Sequence, residues 1–335
     1  MFDVITFGSA SQDIFIKSKK FLPVLSKTLA TGKGIYLEYG SKIEAEDIVF
    51  SSGGGGTNSA AVLAKLGFKV SYCGMVGNDC FGNIMIKELD KFKINTDFVK
   101  RTGEKPTNIS VFLTYPGKDR TVLVYRGASD ILSKKDIPWQ KIKNAKWFYL
   151  GPFAGKLANL TEELVNFAKK NNIKVALNPG YNQLTLPQPV LKRILSKVDV
   201  LILNKEEASL LCKIPCKKEK EIFRKLDKLV SGICIMTKGG GGVVVSDGMY
   251  LYRASSLVSK VVDKTGAGDT FGSSFVAGIM ERNDITYAIQ LGMANSAYNI
   301  AKFGAKEGIL RKGQPWPKVK VLKELCSGGK CQIKV

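Results

Sequence analysis

Residues 261–272 combine residue types that could transfer a phosphoryl group. Their sequence is Val-Val-Asp-Lys-Thr-Gly-Ala-Gly-Asp-Thr-Phe-Gly. Residues 261–262 predict the end of a buried strand, 266–268 a tight turn, and the apolar spacing over 270–280 a helix. Such a turn aims backbone N–H groups and the positive end of the helix dipole at one point, which suits a phosphate. Asp269 lies among these donors, where it could also take a proton from a substrate hydroxyl.

The same residues have a simpler interpretation. Gly-Ala-Gly-Asp could be an ordinary turn in which Asp269 only caps the helix. The twelve residues by themselves leave both interpretations open.

The stretch resembles the C-terminal signature of the ribokinase family of sugar kinases, also called the PfkB family. Lys264 is the one departure, at a variable position of that signature. The resemblance implies that Asp269 is the catalytic base and that an anion hole surrounds the transferred phosphate. The signature residues are Asp263, Thr265, Gly266, Ala267, Gly268 and Asp269, and the anion hole is Gly266, Ala267 and Gly268.

A second glycine-rich stretch precedes a predicted helix. Four glycines, residues 53–56, lead into an alanine-rich helical pattern over Ser59–Leu66, and Asn58 in its first turn offers both a donor and an acceptor. A flexible linker would use similar letters but would not run straight into an amphipathic helix. Gly53, Gly54 and Asn58 are similar to the family's Gly-Gly-x-x-x-Asn signature, which implies contacts with sugar hydroxyls.

Asp13 follows the first apolar run, Phe2–Phe7, and the turn at Gly8. It could be a turn residue, but carboxyl ends of strands in open α/β sheets collect ligands. Gly8-Ser9-x-x-x-Asp13 resembles the family's opening motif, in which the aspartate binds sugar hydroxyls.

Alternating segments predict short strands, and the resemblance to the family implies that they form a small β-sheet lid over the sugar. Ile35–Tyr39 and Ile48–Ser51 are strand-like, and Asn108–Thr114 and Arg120–Tyr125 form a hairpin pattern around a Pro-Gly turn. Arg126 ends the hairpin. It could be a surface residue, or it could reach the sugar pocket as its counterpart does in some relatives.

From Trp147 onward, short apolar strands alternate with helices, which is typical of a parallel sheet buried on both faces. The predicted strands include Trp147–Leu150, Lys174–Leu177 and Ile233–Thr237. One strand ends in Asn204-Lys205-Glu206-Glu207, similar to the family's Asn-x-x-Glu motif. This likeness implies that Asn204 and Glu207 organise Mg²⁺ through water, in keeping with the preference of Mg²⁺ for oxygen ligands.

The remaining family matches concern the nucleotide and a cation. Thr237, Gly239 and Gly242 fit a Thr-x-Gly-x-x-Gly motif that contacts ATP phosphates, and Asn295 is a candidate adenine contact. In some relatives the counterparts of Asp263, Thr265 and the loop 303–305 surround a monovalent cation, so the resemblance leaves K⁺ open as a further cofactor.

The resemblance covers roughly residues 2–310 and implies a Rossmann-like α/β/α three-layer sandwich with a small β-sheet lid. The kinase domain is predicted over 1–310, with lid strands inserted from about 13–51 and 107–126. Residues 311–335 are predicted to be a basic, frayed extension.

Composition excludes several functions. The net charge is +22 over 335 residues, but the lysines are scattered and accompany no nucleic-acid module. No apolar run is long enough to cross a membrane. The odd count of seven cysteines and the lack of a signal peptide predict reduced thiols in a cytoplasm, and the absence of histidine excludes Ser-His and Cys-His catalysis. The spacings Cys212-x3-Cys216 and Cys326-x4-Cys331 are not those of usual metal sites.

The sequence therefore predicts an ATP- and Mg²⁺-dependent kinase for a primary hydroxyl of a pentose, hexose or keto-deoxy sugar acid. A nucleoside kinase of the same family and a non-catalytic nucleotide or sugar sensor are the alternatives. The family's glutamate is not evident around 151–153, so ribose is not specified. The sequence leaves the oligomeric state open; a homodimer through lid strands is the candidate, because exposed strand edges often pair between subunits.

Overall fold

The structure is a computed structural model that describes residues 1–29, 32–117, 120–153, 155–257 and 260–325. Cys326, Cys331 and the rest of the predicted extension beyond residue 325 lie outside the described residues. Cys212 is buried and Cys216 exposed, and both are free thiols.

A large twisted sheet forms the centre of the molecule. Its strands are β1 (Val4–Phe7), β6 (Val70–Gly77), β7 (Val99–Thr102), β10 (Trp147–Leu150), β11 (Lys174–Leu177), β12 (Val200–Asn204), β13 (Ile233–Thr237), β14 (Val243–Ser246), β15 (Tyr250–Ala254) and β16 (Val321–Leu325). Their spatial order is β16-β15-β14-β13-β12-β11-β10-β1-β6-β7. The strands from β13 to β7 in this order run parallel, whereas β14, β15 and β16 add antiparallel neighbours at one edge.

Both faces of the sheet are buried, as its apolar strands predict. In β10, Phe148 and Leu150 join one hydrophobic core, while Trp147 and Tyr149 join the other. Successive side chains of a strand point to opposite faces, so a strand that is apolar throughout requires a layer of helices on each side.

Helices supply these two layers. They are α1 (Gly55–Lys65), α2 (Cys80–Lys91), α3 (Trp139–Ile142), α4 (Leu160–Lys170), α5 (Tyr181–Leu184), α6 (Gln188–Leu195), α7 (Lys205–Cys212), α8 (Glu219–Leu229), α9 (Ala267–Arg282) and α10 (Ile285–Ile300). Helices α4, α6, α7 and α8 cover one face, and α1, α2, α9 and α10 cover the other. The predicted three-layer sandwich is confirmed. None of the helices in the described part of the chain combines the length and apolar character that a bilayer crossing needs.

A second, four-stranded sheet forms the lid. It contains β2 (Ser11–Lys17), β5 (Asp47–Gly53), β8 (Asn108–Thr114) and β9 (Arg120–Tyr125) in the order β5-β2-β8-β9, and a separate hairpin pairs β3 (Leu22–Leu25) with β4 (Lys33–Tyr36). The predicted hairpin strands β8 and β9 have the expected bounds. Strand β2 continues the chain directly from β1, so the lid starts at the carboxyl edge of the main sheet.

Two expectations about chain segments are wrong. Residues Val261 and Val262 are about half exposed, at 52% and 49%, and form no strand. They lie instead beside the end of α10, where the Val262 N–H donates to the Ile300 carbonyl at 2.7 Å. The predicted fraying of the C-terminal extension does not hold for Val321–Leu325, which pairs with β15 as an edge strand.

Candidate active site

The candidate site lies where the central parallel strands end, at the edge from which the lid rises. The chain leaves β1 at Gly8 and packs directly against the first turn of α1. A Cβ atom on Gly8 would meet the Gly56 nitrogen at 2.7 Å, so glycine is needed on both sides of this contact. The N-terminus of α1 is thereby held at the carboxyl end of the sheet.

Gly53 and Gly54 have distinct structural reasons to be glycine. A Cβ on Gly53 would come within 2.1 Å of Asp13 Oδ2, so this glycine makes room for the carboxylate. Gly54 caps α1 at φ 100°, in the region that favours glycine. The first glycine motif therefore brings α1 and Asp13 together.

Asp269 lies in the first turn of α9, facing the first turn of α1. Asn58 Nδ2 donates to Asp269 Oδ2 at 2.8 Å, which joins two motifs that are 211 residues apart in sequence. Burial raises the pKa of Asp269, whereas the hydrogen bond from Asn58 and the positive charge of Lys306 lower it. A carboxylate whose pKa is raised is a stronger proton acceptor than an ordinary one, which suits a general base.

The turn before α9 has the geometry of an anion site. Gly266 caps the helix at φ 78°, and a Cβ there would meet Ala305 at 2.7 Å. The Ala267 N–H is used within the turn, where it donates to the Lys264 carbonyl at 3.3 Å. The N–H groups of Gly268 and Asp269 follow at the start of the helix, where donors have no partner within the helix.

A cavity of about 570 Å³ opens beside this turn. Of the residues predicted from sequence to contact nucleotide, Thr237, Gly239 and Gly242 line it, and Ala267 and Gly268 form its side towards Asp269. The rest of its lining is largely apolar and includes Val243, Leu257, Val261, Phe271, Met293 and Ile300. This size and lining suit the base and ribose of a nucleotide.

The structure does not support Asn295 as an adenine contact. Its side chain is fully buried between α9 and α10, where Nδ2 donates to Ser274 at 2.7 Å and Oδ1 accepts from the Leu310 N–H at 2.7 Å. The neighbouring residues Ser296 and Ala297 line the cavity instead. The helix was predicted correctly, but its periodicity did not show which of its faces borders the cavity.

Asn204 and Glu207 form a reciprocal cap at the start of α7. The Glu207 N–H donates to Asn204 Oδ1 at 2.8 Å, and the Asn204 N–H donates to Glu207 Oε2 at 2.8 Å. Burial raises the pKa of Glu207, and the negative charge of Asp269 raises it further. The described residues contain no cluster of three or more metal-ligating side chains, so a divalent cation beside Glu207 would take most of its ligands from water and phosphate.

Asp13 lies in β2, opposite Ser51 on one neighbouring strand and Ser110 on the other. Ser11 Oγ donates to Asp13 Oδ1 at 2.9 Å, and the carboxyl group is 4% exposed. Burial raises the pKa of Asp13 to about 6, although hydrogen bonds from Ser11 and Ser110 lower it, as do the charges of Lys306 and Arg120.

Arg126 is exposed at the end of β9. It lines a small pocket of about 100 Å³ together with Ser11 and Ser110, the two serines whose hydroxyls hydrogen-bond Asp13. Its side chain is therefore near the predicted sugar site, at its outer rim.

Asp263 and Thr265 come together, but not as an open cation site. Asp263 accepts from the Thr265 N–H at 3.0 Å, from Thr265 Oγ1 at 2.7 Å, from the Gly304 N–H at 3.2 Å and from Arg120 Nη1 at 2.7 Å. A carboxylate offers about four acceptor positions. These residues therefore do not fit the expected K⁺ site, because donors already occupy the Asp263 carboxylate.

Sequence reasoning missed Lys306, which is 3% exposed. Its Nζ donates to Glu88 Oε2 at 2.8 Å and to Ser52 Oγ at 2.7 Å. Burial lowers the pKa of Lys306, and the carboxylates of Glu88, Asp13 and Asp269 raise it. The one available signal was a lysine inside the glycine- and alanine-containing loop 303–308, and a single lysine among so many carries little information.

Comparison with known proteins decides the family. Residues 2–312 match the pfkB family carbohydrate kinase. The chain belongs to this family. This PfkB kinase is 31% identical over 303 residues to a ribokinase of Lactococcus lactis subsp. lactis, a match that covers 89% of this chain and 95% of that protein. As a family member it is a phosphotransferase that acts on a sugar hydroxyl.

Solved structures confirm the ribokinase-like fold of this PfkB kinase. A ribokinase of Arabidopsis thaliana, complexed with ribose and ATP, superposes with a TM-score of 0.77 at 22% identity, over 92% of this chain and 96% of that one. A nucleoside kinase of Methanocaldococcus jannaschii, an archaeal member of the ribokinase family, gives 0.74 at 18% identity, over 92% and 95%.

Proposed function

We propose that this PfkB kinase phosphorylates a primary hydroxyl of a free sugar with ATP, using Asp269 as general base. The observation that carries the proposal is the 2.8 Å hydrogen bond from Asn58 to Asp269. This bond holds the Asp269 carboxylate, in the first turn of α9, against the first turn of α1. The carboxylate lies between the large cavity and the buried Asp13. A reacting hydroxyl held by Asp13 and Asn58 would then face a phosphate held by the glycine turn.

Each part of the arrangement has a role in the reaction. The acceptor hydroxyl passes its proton to Asp269 as its oxygen attacks the γ-phosphorus of ATP, and ADP leaves on the opposite side. Those N–H groups of the Gly266–Gly268 turn that are not used within it, such as that of Gly268, neutralise charge that develops on the transferred group. Lid closure over the site would exclude water, which otherwise competes as an acceptor.

Mg²⁺ has a suitable place beside this path. Glu207 keeps carboxylate capacity beyond its cap bond to the Asn204 N–H, and it faces the charge of Asp269. We expect Glu207, oriented by Asn204, to hold the ion through water. When bound, Mg²⁺ would neutralise phosphate charge.

The polar lining of the acceptor pocket favours a substrate with several hydroxyl groups. The Ser11 hydroxyl of β2 and the Ser110 hydroxyl of β8 flank Asp13, and Arg126 adds a positive charge at the rim, which suits sugars that carry a carboxylate or phosphate. The Lactococcus lactis relative makes ribose the first acceptor to try. The Methanocaldococcus jannaschii structure makes a nucleoside the second candidate.

One experiment tests the proposal and separates these acceptors. ADP release from Mg²⁺-ATP is measured against pentoses, hexoses, keto-deoxy sugar acids and nucleosides. We expect one free sugar to give the highest kcat/KM. A preference for a nucleoside would replace the sugar proposal. ATP binding without stimulation of ADP release by any acceptor would contradict turnover and favour the sensor interpretation.

The lid also supports a homodimer. Its outer strands expose apolar side chains, including Phe50, Leu123 and Val124, at 59%, 55% and 57%. Such a surface is typical of a subunit contact. The dimer and a cytoplasmic location stay predictions, and sedimentation equilibrium would test the first.

A further inference from the structure

An ion pair connects the lid to the glycine turn. Arg120, the first residue of β9, places Nη1 2.7 Å from Oδ1 of Asp263, across 143 residues of sequence. The Asp263 side chain is 4% exposed and that of Arg120 is 28% exposed. An ion pair this sheltered is screened much less by salt than an exposed one.

The lid holds the guanidinium of Arg120 in place through aromatic contacts. Its central carbon lies 5.1 Å from the ring centroid of Phe112. Phe112 stacks on Phe15 at 4.3 Å, and Phe15 meets Phe303 edge-on at 4.7 Å. Phe303 precedes Gly304, which itself donates to Asp263. The lid and the loop that supports the turn are therefore packed together around this cation.

Asp263 in turn organises the residues before α9. It fixes Thr265 through two hydrogen bonds and Gly304 through one, and Gly266 follows in its left-handed cap conformation. The charge of Asp263 therefore acts on the turn whose N–H groups are proposed to bind phosphate. A positive charge beside it offsets the negative charge that would otherwise lie under the anion hole.

We propose that the guanidinium of Arg120 is a built-in cation that replaces a monovalent metal ion beneath the anion hole and couples lid closure to the shape of the glycine turn. Arg120 is a positioning residue, because it acts through Asp263. An arginine is always charged and its planar group is held by several contacts. The kinase therefore works without K⁺. This inference rests on the proposed role of Gly266–Gly268.

The test compares cations and variants in the same assay. In the wild-type protein, potassium chloride is replaced by tetramethylammonium chloride at equal ionic strength. We expect kcat to change by less than about twofold and Tm by less than about 1 °C. We expect Arg120→Ala to lose about tenfold to a hundredfold in kcat in tetramethylammonium chloride, because a misplaced turn misaligns the phosphate. Potassium or methylguanidinium ions should restore part of this loss, since both can neutralise the freed Asp263.

Arg193→Ala is the matched control. It removes another arginine–carboxylate pair, with Glu162, on helices that cover the sheet away from the lid, and should leave kcat and its cation dependence unchanged. Arg120→Lys keeps the charge and serves if the alanine variant does not fold; we expect it to retain more activity than Arg120→Ala and to stay independent of K⁺.

Several results would overturn the inference. A wild-type rate that rises tenfold or more with K⁺ would show that Asp263 takes a metal ion. Full activity of Arg120→Ala without K⁺, or a loss that neither ion restores, would remove the cation role. If no acceptor gives turnover, the proposed function fails, but the wild-type Tm still reports on K⁺ binding: an increase in Tm with K⁺ contradicts the inference, and an unchanged Tm agrees with it.

Discussion

The nucleotide end and the acceptor end of the site are built from different materials. The proposed nucleotide cavity is lined by glycines, by the start of α9 and by apolar side chains from β14, α9 and α10. The acceptor end is a network of charged side chains shared between lid and core: Asp13, Glu88, Arg120, Asp263, Asp269 and Lys306. One end is shaped chiefly by the backbone, the other by electrostatics.

This difference indicates how each end should respond to change. A backbone site tolerates changes of charge but not of shape, because its donors are fixed by the helix start. A network of buried charges tolerates neither loss of a member nor a change of protonation, because each group is stabilised by the others. Substitutions at the acceptor end should therefore alter the pH dependence, and substitutions at the nucleotide end should not.

The largest expected effect is at Asp13. Asp13→Asn should lower kcat/KM for the sugar by about a hundredfold or more, because hydrogen bonds from sugar hydroxyls to a buried carboxylate are charge-assisted. KM for ATP should hardly change. Asp3→Asn, at the opposite end of β1 and paired with Lys146 on the surface, is the control. An equally large loss of ATP affinity in Asp13→Asn would contradict the division of the site into two separate ends.

Two glycines of the turn should behave differently. A Cβ on Gly268 meets no atom within 4 Å, so Gly268→Ala should fold with an unchanged Tm and yet lose about tenfold in kcat by blocking close approach of phosphate. Gly266→Ala should also be destabilised, by about 1 kcal/mol or more, because of its positive φ and the contact with Ala305. Kinetics and thermal melts together distinguish these outcomes, and wild-type turnover in Gly268→Ala would contradict the anion site.

Lys306 tests the charge network directly. Lys306→Met should lower kcat/KM by about tenfold at neutral pH and move the acid limb of the pH profile upward, because its charge lowers the pKa of both Asp13 and Asp269. It should also cost about 2 kcal/mol by leaving Glu88 without its partner. The double variant Lys306→Met/Glu88→Gln should recover stability but not the pH shift, and an unmoved acid limb would count against the network.

The smallest expected effect is the pH dependence that Asp13 gives to stability. A falling pH should lower activity but raise the free energy of unfolding. Because burial raises the pKa of Asp13 to about 6, activity should fall as pH drops through about 6. The folded state then binds this proton more tightly than the unfolded state, whose aspartate titrates near about 4. The contribution of Asp13 to stability should therefore rise as pH falls from about 6 to about 4, and Asp13→Asn should be about 1 kcal/mol more stable at neutral pH. Urea melts across this range measure both, and a variant less stable than wild type would contradict this assignment.

The two ends also differ in how far the sequence could predict them. The strands Trp147–Leu150, Lys174–Leu177 and Ile233–Thr237 have the predicted bounds, because strands buried on both faces are continuous apolar runs. The glycine turns were predicted because their function lies in local backbone geometry. Thr237, Gly239 and Gly242 accordingly line the cavity.

The acceptor end could be predicted only in part. Asp13 and Asn58 belong to local motifs, but Arg120 and Lys306 acquire meaning from partners 143 and 218 residues away. No local pattern records such distances. The apolar pair Val261 and Val262 was mistaken for a strand because a surface beside a ligand cavity is apolar for the same physical reason that a core strand is.

The most direct test of the account is the Asp269→Asn variant, with the best acceptor, measured for ATP binding by calorimetry and for phosphoryl transfer in a single turnover. The account predicts an ATP affinity within about threefold of wild type and a transfer rate lower by at least about a hundredfold, the scale of a lost general base. A transfer rate close to that of wild type would mean that Asp269 is not the general base, and would contradict the proposed mechanism.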